Sequence, residues 1–84
     1  MYSYKEQRNK IFTDEGQKDF LKLRDKVNKL LDISGAFMVD NVLGVNVNTD
    51  ITLACVDRMA ELGEIIEIKR NGVFAQHRVF IRNR

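Results

Sequence analysis

The chain has no proline, one cysteine and one histidine among its 84 residues. Each shortage excludes something. A single thiol, Cys55, cannot close an internal disulfide, and with only His77 beside it the usual four-ligand zinc site cannot be assembled. No window reaches the roughly 18 apolar residues of a membrane span, and Met1-Tyr2-Ser3-Tyr4-Lys5 is not followed by the apolar run of a signal peptide. The expectation is a reduced, cytoplasmic protein with no membrane partner. Catalytic inventories are missing too: there is no glycine-rich phosphate loop, no HExxH, no GxSxG and no cluster of histidine with carboxylates at ligand spacing. These gaps point away from an enzyme, from any metal or other cofactor and from a small-molecule substrate.

What is present is enough for one domain. Hydrophobic residues make up 44% of the chain, which supports one modest core and no second one. The net charge of +2 says little, but its distribution says more. Residues 1–33 hold eight Lys/Arg against six Asp/Glu, residues 34–63 hold one against four, and residues 64–84 hold five against two. Both ends are basic and the middle is acidic.

Residues 1–12, with Tyr2, Tyr4, Lys5, Arg8 and Lys10, show no clean period and read as an arm ahead of a domain over 13–84. Such an arm either lies solvated or follows a phosphate backbone, with the tyrosines stacking on bases. At Thr13 the pattern changes. Thr13 suits a helix N-cap, Asp14 and Glu15 suit the first turn, and Phe20, Leu23, Val27, Leu30 and Leu31 recur on one helical stripe. Lysines and aspartates interleave around the rest as a solvated face. Ser34-Gly35 ends the helix, Ala36-Phe37-Met38 allows a short strand, and Val39–Leu43 allows about one helical turn with Val39, Val42 and Leu43 inward. Asn46, Asn48, Thr49 and Asp50 then start a helix that runs to Leu62, where Gly63 stops it. From Glu64 the period falls to two, and Asn71-Gly72 signals a hairpin whose return strand runs from Val73 to Ile81. With no proline, both strands keep every ladder donor. Whether the turn is tight or a longer loop stays open.

This order of helix, short strand, short helix, turn, helix, strand, wing and strand resembles the winged helix-turn-helix family. The residues that carry the likeness are Ala36-Phe37-Met38-Val39-Asp40-Asn41-Val42-Leu43, then Val56-Asp57-Arg58-Met59-Ala60-Glu61-Leu62-Gly63-Glu64-Ile65, and Arg78-Val79-Phe80-Ile81 as the return strand. The likeness covers roughly residues 13–82, and the N-terminal words and small size are similar to compact phage and prophage proteins. It implies an α+β fold, mainly α with a C-terminal β-hairpin: three helices plus a two- to three-stranded wing sheet. It also implies binding to duplex DNA and a role in transcription regulation in a bacterial or phage-infected cell, with the third helix in the major groove and the wing on the backbone.

The residues divide on that implication. If Thr52, Val56, Met59 and Leu62 form the buried stripe of the third helix, with Cys55 at its margin, the outward stripe is Asp50, Leu53, Ala54, Asp57 and Glu61. Duplex DNA carries about one negative charge per 1.7 Å of axis, so three carboxylates on that stripe are repelled by the groove. Thr49, Thr52 and Arg58 are the only donors nearby. The wing is better suited, with Lys69, Arg70, Asn71, His77 and Arg78 placed to meet phosphates. Cys55 reads as a small core residue and His77 as an ordinary strand residue. Two functions therefore stand: DNA binding through the wing and basic termini, or a protein-interaction winged helix, a homodimer or a partner complex, whose contact is Leu53 and Ala54 ringed by Asp50, Asp57 and Glu61.

Overall fold

Thr13 and Gly35 bound the longest element of the chain, and both do so by the chemistry expected of them. In the computed structural model, which describes residues 2–45, 48–68 and 77–83, the Thr13 hydroxyl accepts from the Gly16 amide at 3.0 Å and opens a helix over Asp14–Ser34. Gly35 closes it at φ 76°, a left-handed conformation that costs a residue without Cβ nothing. Phe20, Leu23, Val27 and Leu31 form its buried stripe, as their spacing predicts, and Leu30 packs at the margin.

The stretch read as an arm is a helix. Tyr4–Ile11 forms α1, which precedes the long helix α2. Its pattern is nearly illegible because it buries one side chain fully, Ile11, and is otherwise polar. Two further contacts fix the α1–α2 corner. Gln17 Nε2 donates to the Ile11 carbonyl at 2.7 Å, and Gly16 lies so close to α1 that a Cβ there would sit 2.0 Å from the Lys10 carbonyl oxygen. Only glycine permits this approach.

After α2 come strand β1 (Ala36–Met38), a 3-10 turn (Val39–Val42), α3 (Thr49–Glu61), β2 (Ile65–Ile68) and β3 (Val79–Arg82). Asn48 caps α3 by accepting from the amides of Asp50 and Ile51, and Gly63, at φ 78°, turns the chain out of it. The three strands form one antiparallel sheet in the order β1-β3-β2, with Phe37 opposite Phe80 and Ile66 opposite Ile81. The fold is thus α+β, with three α-helices and a three-stranded antiparallel sheet among the described residues, laid out as in a winged helix. The Asn71-Gly72 turn and the expected start of the return strand at Val73 lie outside the described residues.

One core joins these layers. Phe37 and Phe80 stack with ring centroids 5.5 Å apart, and they meet Leu23, Val27, Val39, Val42, Val56, Met59 and Ile65 in a single buried cluster. The short turn Val39–Val42 sets two valines into it, both fully buried, while Asn41 Oδ1 accepts from the Met38 amide to hold the strand-to-turn corner. No helix among the described residues is long and apolar enough to cross a membrane.

Candidate functional site

The third helix is the place where sequence and structure part. Thr52, Cys55, Val56 and Met59 are buried as expected, but so are Leu53 and Ala54, while Leu62 is 46% exposed. Much of the stripe read as outward is covered: Leu53 and Ala54 are buried and Asp50 and Asp57 half-buried, while Glu61 stays exposed and is tied to Tyr4 of α1, which packs against α3. Leu53 and Ala54 are therefore core residues and cannot form the exposed contact expected of them. Five consecutive residues, Thr52, Leu53, Ala54, Cys55 and Val56, are buried, so the middle of α3 has neighbours on nearly every side, while Thr49 and Glu61 near its ends are exposed.

Two of the three carboxylates of that stripe, Asp57 and Glu61, are engaged by neighbouring side chains. Tyr2 Oη donates to Asp57 Oδ2 at 2.5 Å, and Arg78 lies between two acids, with Nη2 2.7 Å from Asp57 Oδ1 and 2.8 Å from Glu67 Oε1. The guanidinium also rests 5.1 Å from the centre of the Phe80 ring. Burial alone would disfavour the charge on Arg78; its hydrogen bonds to Glu67 and Asp57 outweigh that and hold its pKa above the usual guanidinium range. Tyr2 moves upward as well, first through burial and then through the bond to Asp57. A second cluster stands beside the first. Glu61 accepts from Arg58 at 2.6 Å, Tyr4 at 2.9 Å and Arg8 at 3.0 Å, and its carboxyl is held below the usual range by Arg58 first and Tyr4 next. Both arginines lie over Phe12, at 4.9 and 5.0 Å from the ring centre.

Measured against this geometry, the DNA-binding candidates do not converge. Thr52 is fully buried, and its hydroxyl donates to the Asn48 carbonyl at 3.2 Å, so it cannot reach a base. Arg58 and Arg78 are both engaged in ion pairs. Thr49 and His77 are exposed, at the start of α3 and just ahead of β3. Lys69, Arg70 and Asn71 lie outside the described residues. Cys55 is buried as a core residue should be, and burial, followed by the charge of Asp19, pushes its thiol up to about 12, far from a reactive thiolate. Among the described residues no group of three or more His, Cys, Asp or Glu could hold a metal.

The surface that sequence reasoning missed is the back of the sheet. Residues directly opposite one another share a face. Phe37 and Phe80 face the core; the other face is therefore formed by two rows across the strands, Ala36–Ile81–Ile66 and Met38–Val79–Ile68. All six side chains are apolar, none is buried, and Ile66, Ile68 and Ile81 are 46%, 42% and 36% exposed. Antiparallel sheets covered on one side ordinarily alternate apolar and polar residues. Here the alternation is inverted at Glu67, which points inward to Arg78 while the isoleucines on either side point out. A groove of about 430 Å³ continues this face past Gly35, Arg82 and Asn83. The signal was present in Ile65-Ile66 and Val79-Phe80-Ile81, runs of consecutive apolar residues that mark a strand covered on both faces. Comparison of the chain with protein-family models, curated proteins and solved structures gives no match.

Proposed function

We propose that this chain is a protein-interaction domain with a winged-helix layout, and that it binds a neutral, apolar protein surface through the outer face of its sheet. The observation that carries this reading is the pair of apolar rows on β1, β3 and β2, which has no charge among its six side chains and no covering element among the described residues. The largest contiguous apolar patches on protein surfaces are often functional contact sites. The burial of Leu53 and Ala54 supports the same reading, because it takes two side chains out of the stripe of α3 that a DNA reader would turn toward the major groove.

A photo-crosslinking residue placed at position 66 tests it. An adduct is expected in cells at position 66, and not at Leu21, an exposed leucine of α2. The adduct should vanish when Ile81→Glu is added. No adduct at position 66 in cells would overturn the reading.

A second reading keeps the duplex as partner, and the basic words Lys69-Arg70-Asn71 favour it. In it, the wing meets phosphates while α3 stays structural. Affinity for duplex DNA would then fall in Lys69→Ala/Arg70→Ala, and the salt dependence would flatten by about one unit for each phosphate that the variant no longer neutralises. Absence of duplex binding at low salt would remove it.

A further inference from the structure

Resting on the proposed role of the outer sheet face, we infer that its occupant is a second copy of this chain, packed sheet to sheet about a two-fold axis that runs along β3. The face is built around that line. β3 is the central strand, with Ala36 and Met38 on one side of it and Ile66 and Ile68 on the other. A two-fold along β3 lays the β1 side of one copy over the β2 side of its mate. Ala36, the smallest side chain of the face, then meets Ile66, the most exposed. In the next row Met38, an unbranched and adaptable side chain, meets Ile68. Ile81 and Val79 meet their own copies on the axis. Large opposes small on one row, which is the condition for two aligned sheets to interdigitate at about 10 Å.

Charge favours the same occupant. The six residues carry none, so an acidic or basic partner finds nothing to complement, whereas a neutral face complements itself. At the end of the sheet nearest α2, Arg82 is already paired with Asp32 at 2.9 Å, so like ends meet without an uncompensated charge. The area sets the strength. Six side chains a copy, none more than 46% exposed, are far fewer than the roughly 20–30 residues a side of a tight complex. The dimer is a weak, concentration-dependent one, of the isologous kind in which one patch serves both copies.

Sedimentation equilibrium of the purified chain, over a wide loading range that reaches millimolar, reads this directly. The weight-average mass of the wild type should climb from one chain toward two. Ile66→Glu should stay at one chain, and Ile68→Glu provides a second disruption should the first perturb the fold. The axis has its own signature: Ala36 is not free to grow, so Ala36→Ile should lose association against the mate's Ile66, and adding Ile66→Ala to it should restore a dimer. A wild type that remains a single chain at every loading overturns the second copy as occupant. If position 66 still crosslinks to a different protein, the docking role of the face survives that failure; if it crosslinks to nothing, both fall. A dimer indifferent to both glutamate substitutions overturns the face, and one in which the Ala36→Ile/Ile66→Ala exchange fails to restore association overturns the axis.

Discussion

The third helix and the sheet are both apolar on two sides, yet only one of them is enclosed. Around α3 the chain supplies a cover for every apolar face: α2 and the sheet on one side, and α1 on the other. Against the sheet it supplies α2 and α3 inside, while among the described residues the rows of Ala36, Ile81 and Ile66 and of Met38, Val79 and Ile68 remain open. The difference teaches how to read an apolar surface. Leu53 and Ala54 are apolar because they belong to this chain's own core. Ile66 and Ile81 are apolar without such an internal reason.

The sharpest way to break this comparison is to place the same charge on each surface. Leu53→Glu buries an unpaired carboxylate in the core and should cost about 3–5 kcal/mol. Ile66→Glu sits in water and should change stability by no more than about 0.5–1 kcal/mol. Urea titrations of the two variants check this, and equal losses would mean that both surfaces are covered.

Next in size is Arg78→Ala, which leaves Asp57 and Glu67 facing each other without their shared cation. The pairs are about one-fifth exposed, so solvent relieves part of the repulsion, and a loss of about 2–3 kcal/mol is expected. Thermal unfolding would report it. A neutral outcome would show that the arginine is available to an outside partner after all.

Gly16→Ala acts on the cover itself. The added methyl meets backbone at Lys10 and Ile11, so α1 must shift, at about 1–3 kcal/mol. Because α1 buries only Ile11 fully, and Gln7 Oε1 is buried without a hydrogen-bond partner, the shift should appear first as faster amide exchange over Tyr4–Ile11 and over the Leu53 side of α3. Unchanged exchange there would separate the two helices.

The smallest effect is in pH. Tyr4 is pushed up to about 12, first by burial and then by its bond to Glu61, and Tyr2 moves upward for the corresponding reasons with Asp57. The folded state therefore prefers the neutral phenols. The contribution of Tyr4 is complete below the ordinary tyrosine value of 10.0 and is lost as pH rises through about 12, when its phenolate would stand against Glu61; that of Tyr2 is lost at higher pH still, against Asp57. Protection of the α1 amides, taken relative to an unfolded reference at the same pH, should fall across that window ahead of global unfolding, and protection that stays flat through it would mean that Tyr4 does not hold α1.

The sequence by itself determined the elements whose causes are local. Thr13 and Gly35 bound α2, Asn48 opens α3 and Gly63 ends it, because caps and left-handed glycines act within a few residues. Periodicity also identified most of the core: Phe20, Leu23 and Val27 on α2, and Thr52, Val56 and Met59 on α3. The tertiary structure alone decided which way the remaining apolar residues face. α1 carries one buried side chain and so leaves almost no period to read, yet it packs against α3, where Leu53 and Ala54 are core; its Tyr4 and Arg8 hold Glu61, and Tyr2, just ahead of it, holds Asp57. Pairing across β3 likewise decided that Glu67 points inward to Arg78 and that Ile66 and Ile68 point out. A side chain's period follows from its own backbone, but what covers it depends on elements far away in the chain.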